Sequence, residues 1–77
     1  MTELLRSNNP VLISYVEALL KGSGIQHVTY DTHMSVMEGS LGILPRRLLV
    51  NQRDLPAARR LLQDAGLEGE LSPDARP

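Results

Sequence analysis

The sequence predicts an α+β domain of the ferredoxin-like class, a β-α-β-β-α half-sandwich whose last strand is missing or rudimentary. Two stretches, 10–21 and 54–65, repeat apolar residues with a helical period. Three short stretches with apolar residues bounded by turn signals, 3–7, 25–30 and 46–50, read as strands. Their order is strand, helix, strand, long connection, strand, helix. A right-handed crossover sets the first two strands parallel with room between them. The third strand then fills that gap antiparallel to both, and the two helices cover one face of a three-stranded sheet. This arrangement leaves the first strand as an exposed edge, the kind that is blunted or paired with another chain.

Glu3 to Ser7 is the first strand and stops at the turn cluster Ser7-Asn-Asn9. Asn9-Pro10 starts the first helix. The Asn side chain accepts from free backbone N–H groups, and Pro suits the first helical position. Leu12, Val16, Leu19 and Leu20 form one stripe at i, i+4, i+7 and i+8, and Ile13 widens it. Ser14, Glu17 and Lys21 take the other face, and Gly22-Ser-Gly24 ends the helix. Ile25 to Tyr30 alternates as a strand, with Val28 expected on the core face. Arg46 to Val50 is the third strand, closed by Asn51. Asp54 starts the second helix, with Pro56 in its first turn. Leu55, Ala58, Leu61, Leu62 and Ala65 make its apolar face, with Arg59 and Arg60 outside or flanking it. Gly66 stops it and Leu67 packs back on the last turn. The domain therefore spans 1–67. Residues 68–77, with two Pro, three acids and one Gly, are expected to form a disordered tail, with a short edge strand at Glu70-Leu71 as the lesser alternative.

At 77 residues the chain is one domain near the lower size limit for an unstapled core. It has no cysteine, which removes disulfides, thiolate metal sites and a Cys nucleophile. That absence favours the cytoplasm. The N-terminus lacks the basic and apolar regions of a signal peptide, and no apolar run is long enough to cross a bilayer. A net charge of −1 gives no basic stripe for a phosphate backbone. Tyr15 and Tyr30 are the only aromatics, too few for a base-stacking platform. Nucleic acid and membrane are thus not expected as partners.

The connection 32–47 is far longer than the two to five or so residues that usually join paired strands. Loops of this kind inside small domains tend to be functional or disordered. His27, Asp31, His33 and Glu38 are potential metal ligands, but without a standard zinc spacing, so no metal or other cofactor is expected. Gly39-Ser-Leu-Gly42 with Arg46 and Arg47 could bind an anion, yet it is neither a P-loop nor a dinucleotide fingerprint. Turns at the two glycines, and arginines paired with Asp31 or Glu38, explain these residues more simply. Ser35 and Ser40 could be nucleophiles with His33 as base and Asp31 or Glu38 as orienter, but no elbow motif surrounds either serine. An enzyme is not expected. Met34, Val36, Met37, Leu41, Ile43 and Leu44 form an adaptable apolar set that suits a protein partner. Of these, Ile43 and Leu44 are expected inside and Met34 and Met37 outside.

The Asn-Pro-Val helix start, Glu17-Ala-Leu-Leu20, Gly24-Ile25, Asp31-Thr-His33-Met-Ser35, Glu38-Gly-Ser40, Gly42-Ile-Leu-Pro-Arg-Arg47 and Ala58-Arg-Arg-Leu-Leu62 together resemble a family of small bacterial domains of unknown function, described as a "putative prokaryotic signal transducing protein". The resemblance covers about residues 2–67. It implies a fold similar to the ferredoxin-like nitrogen-regulatory signal proteins, which carry a long partner-contacting loop between their second and third strands. The chain is accordingly expected to be a non-catalytic binding or signalling module. Its contact residues are expected to be Asp31, His33, Met34, Ser35, Met37, Glu38, Gly39, Ser40, Gly42, Arg46 and Arg47. The alternative is a small-molecule or metal-binding regulator using the same loop. A homodimer through the edge of the first strand fits either.

Overall fold

The computed structural model describes residues 1–31 and 45–76, with Asp31 described by its backbone alone. The chain is α+β. Strand β1 is Thr2–Ser7, helix α1 Pro10–Gly22, strand β2 His27–Asp31, strand β3 Arg46–Val50 and helix α2 Leu55–Asp64. The sheet order is β1-β3-β2, with β3 antiparallel to both neighbours. This is the order expected from the sequence and is compatible with a small ferredoxin-like fold.

The helices form where local chemistry asks for them. The Asn9 side-chain oxygen accepts from the N–H groups of Val11 and Leu12, at 3.0 and 3.3 Å, and Pro10 occupies the first position. Both helices end in the same motif. Gly24 and Gly66 have φ of +73° and +77°. After α1, the Ile25 N–H reaches the Leu20 carbonyl and the Gly24 N–H the Lys21 carbonyl. After α2, Leu67 bonds back to Leu62 and Gly66 to Gln63 in the same way. Ile25, expected to begin β2, is thus taken up by the α1 cap, and the strand starts at His27. The expected start of α2 is preceded by a 3-10 turn, Gln52–Asp54, and the Asp54 side chain makes no capping bond.

One core holds the elements together. Leu4, Leu5, Ile13, Val16, Leu20, Leu48, Val50, Ala58 and Leu62 are fully or almost fully buried, with Leu12, Leu61 and Leu67 packed partly against them. β1 buries two consecutive leucines because its register slips between Glu3 and Leu5. The extra residue, Leu4, makes a bulge. Beyond the bulge Arg6 returns to the face that carries Glu3, since these residues stand opposite Arg47 and Leu49, two apart on β3.

Two expectations are corrected. Val28 does not face the core. It stands opposite Leu49 and is 38% exposed. His27 and Thr29, opposite Val50 and Leu48, take the core side of β2 because directly opposed residues share a face. Residues 68–76 are not a disordered tail. Two 3-10 turns, Glu68–Glu70 and Pro73–Ala75, flank Leu71, which forms an antiparallel bridge with Leu5. Leu71 and Ala75 are buried in the core. The Ser72 N–H bonds to the Leu4 carbonyl at 2.9 Å. The segment reaches the position that a fourth strand beside β1 would hold, and it covers part of the edge expected to be open.

Candidate functional site

Of the residues expected to form the contact site, His33, Met34, Ser35, Met37, Glu38, Gly39, Ser40 and Gly42 lie outside the described residues, as do Val36, Leu41, Ile43 and Leu44. The remaining three mark the base of that segment. Asp31 ends β2 and Arg46 begins β3, and the two are opposed in the ladder. Arg47 follows, exposed. The alternation of β3 sends the two arginines to opposite faces: Arg46 shares the face of Leu48 and Val50, Arg47 that of Leu49.

The face of Arg47 is the one not carrying the core residues Leu48 and Val50. Two rows cross it. Tyr30, Arg47 and Arg6 are opposed in turn from β2 through β3 to β1, and Val28, Leu49 and Glu3 form the next row. Tyr30 is 58% exposed and Arg6 is also exposed. The Arg6 guanidinium donates to Glu3 Oε1 at 3.1 Å. Burial works to raise the Glu3 carboxyl. Hydrogen bonds from Ser72 and Arg6, with the charges of Arg6 and Arg47, outweigh it and hold the carboxyl below its usual value. This face therefore presents a tyrosine, an apolar pair and two cations beside an ionised carboxylate.

The sequence reading missed Tyr30, Val28 and Arg6. The signal for them is register rather than composition. Once Leu48 and Val50 are assigned to the core, alternation sends Arg47 and Leu49 outward, and their partners follow.

On the core side of β2, the Thr29 hydroxyl donates to Glu17 Oε2 of α1, and His27 Nε2 is 3.9 Å from the same oxygen. These polar groups tie α1 to β2. Among the described residues no three His, Cys, Asp or Glu side chains are grouped to hold a metal ion. A groove of about 650 Å³ lies at the opposite end of β2 from Asp31, lined by Met1, Ile25, His27, Val28 and Asn51 among others. No helix among the described residues is long and apolar enough to cross a membrane.

A family model described as "Putative prokaryotic signal transducing protein" matches residues 1–66. The match ends at the glycine that caps α2, before the docked segment 68–76. No curated protein matches the chain.

Proposed function

The chain belongs to the family described as "Putative prokaryotic signal transducing protein", and from that premise we propose that it is a non-catalytic module that contacts a protein partner through the 32–47 connection and the adjoining sheet face. The observation that carries the reading is the row Tyr30, Arg47, Arg6. Tyrosine and arginine are the side chains enriched at protein interfaces. Here they stand on a face away from the core, two of them on the strand ends that bracket residues 32–44. The ion pair of Arg6 with Glu3 holds that guanidinium beside the row.

The test compares affinity capture by three forms: the wild-type chain, a form with residues 33–44 replaced by a short turn, and Tyr30→Ala with Arg47→Glu. A partner retained by the wild type and lost by both variants is the expected outcome. An unchanged set of captured proteins would sink the reading. Zinc and a nucleotide panel, added to the isotope-labelled chain, are expected to leave the amides of 27–31 and 45–50 in place. Shifts there would put a small-molecule regulator in its stead.

A further inference from the structure

The two edges of the sheet are treated differently. The β1 edge is met by Leu71 and Ser72. Among the described residues nothing pairs with the outer edge of β2. β2, His-Val-Thr-Tyr-Asp, is a short edge of five residues, but it has no Pro and no Lys, and its pairing with β3 has no bulge.

We infer that this edge pairs with β2 of a second copy of the chain about a two-fold axis at Thr29, joining two three-stranded sheets into one. The register follows from geometry. In an antiparallel pair related by a two-fold axis, opposed residue numbers have a constant sum. Opposed residues must share a face, so the axis passes through a residue of β2. An axis at Thr29 pairs all five residues of the strand. Axes at Val28 or Tyr30 leave strand residues without partners from the other strand.

With the axis at Thr29, Val28 stands opposite Tyr30 of the second copy, twice. Thr29 meets its own counterpart, and His27 and Asp31 are opposed at the two ends of the pair. A β-branched residue beside an aromatic is among the cross-strand pairs that stabilise sheets, and this register makes that pair twice. The pairing also draws together the two apolar side chains that β2 leaves exposed, Val28 at 38% and Tyr30 at 58%. On the helix side, the recess beside His27 is lined by Ser14, Glu17, Ala18 and Lys21 of α1.

A five-residue edge buries less than a standard interface, so the dimer belongs to the weak class. Sedimentation equilibrium of the full chain, from about 10 µM to about 1 mM, is expected to show a monomer–dimer equilibrium in that range. Val28→Lys sets a charge opposite Tyr30 at two symmetric positions. It is expected to weaken dimerisation about tenfold or more, with amide resonances outside β2 unmoved. The chain has no cysteine, so Thr29→Cys reports the axis directly. Symmetric pairing brings the two Cα atoms to roughly 4.5–5.5 Å, within reach of a disulfide. Under mild oxidation this variant is expected to form a covalent dimer much faster than Arg53→Cys, placed on the exposed 3-10 turn before α2. A monomer throughout overturns the inference. So does a dimer indifferent to Val28→Lys, or cross-linking of Thr29→Cys no faster than that of Arg53→Cys.

Discussion

Glu3 shows how one side chain joins distant parts of the chain. Its two oxygens take hydrogen bonds from Arg6, three residues on, and from Ser72, near the other end of the sequence. The bulge at Leu4 makes this possible by returning Arg6 to the face of Glu3. The carboxyl is held below its usual value in the folded chain. Its charged form is therefore favoured by folding, and the stabilisation is complete above the ordinary carboxylate range. It is lost as pH falls through that range and past the lowered folded value. Glu3→Gln is expected to lose about 1 kcal/mol at neutral pH, because the charge-assisted part of both hydrogen bonds is removed. Urea midpoints of wild type and variant, measured from neutral to about pH 3, should converge as the wild-type carboxyl protonates. A gap that stays constant with pH would show that the charge of Glu3 contributes nothing.

At the scale of the element, the helix ends were legible and the strand faces were not. Asn9-Pro10, Gly24 and Gly66 act on neighbours within a few residues, so their roles can be read without knowing the fold. Gly66 holds φ at +77°, and a Cβ built there meets no atom within 4 Å. Gly66→Ala is thus expected to cost about 1 kcal/mol from backbone conformation alone, with no clash. That corresponds to a fall in melting temperature of roughly 4–8 °C in a domain of this size. An unchanged melting curve would mean that the cap had rearranged without cost. The face of β2 had no comparable local signal. Ile25, His27 and Thr29 on one alternation, and Gln26, Val28 and Tyr30 on the other, each mix apolar and polar residues. The choice between them is made by β3, whose Leu48 and Val50 enter the core and fix which residues of β2 accompany them. Tyr30 and Arg6 became site candidates by that same long-range pairing, which a reading of each strand alone does not contain. The long 32–47 connection was recognisable as a candidate by length and composition, and Asp31, Arg46 and Arg47 stand at its base.

For the whole molecule, the segment after α2 carries the largest departure from expectation. Its composition is polar and proline-rich, and it buries only Leu71, Ser72 and Ala75. What holds it is a set of contacts made far along the chain. Ser72 bonds to the Leu4 carbonyl, Arg59 donates to the Ala75 carbonyl at 2.7 Å and Arg76 to the Leu71 carbonyl at 3.0 Å. These arginine bonds satisfy carbonyls that a continuous strand would have placed in a ladder. A core without Phe or Trp has few large side chains to spare, so one fully buried leucine is a large fraction of its stability. Leu71→Ala is expected to cost about 2–4 kcal/mol, read from urea unfolding at constant m-value. A truncation after Leu67 should lose at least as much, since it also removes Ala75 and the bonds to β1. Because it uncovers the β1 edge, it should aggregate more readily than Leu71→Ala at equal concentration. A solvated tail would give the opposite result for both: changes within about 0.5 kcal/mol and no new association. The comparison thus separates a domain that ends at the α2 cap from one in which residues 68–76 complete the sheet edge and core.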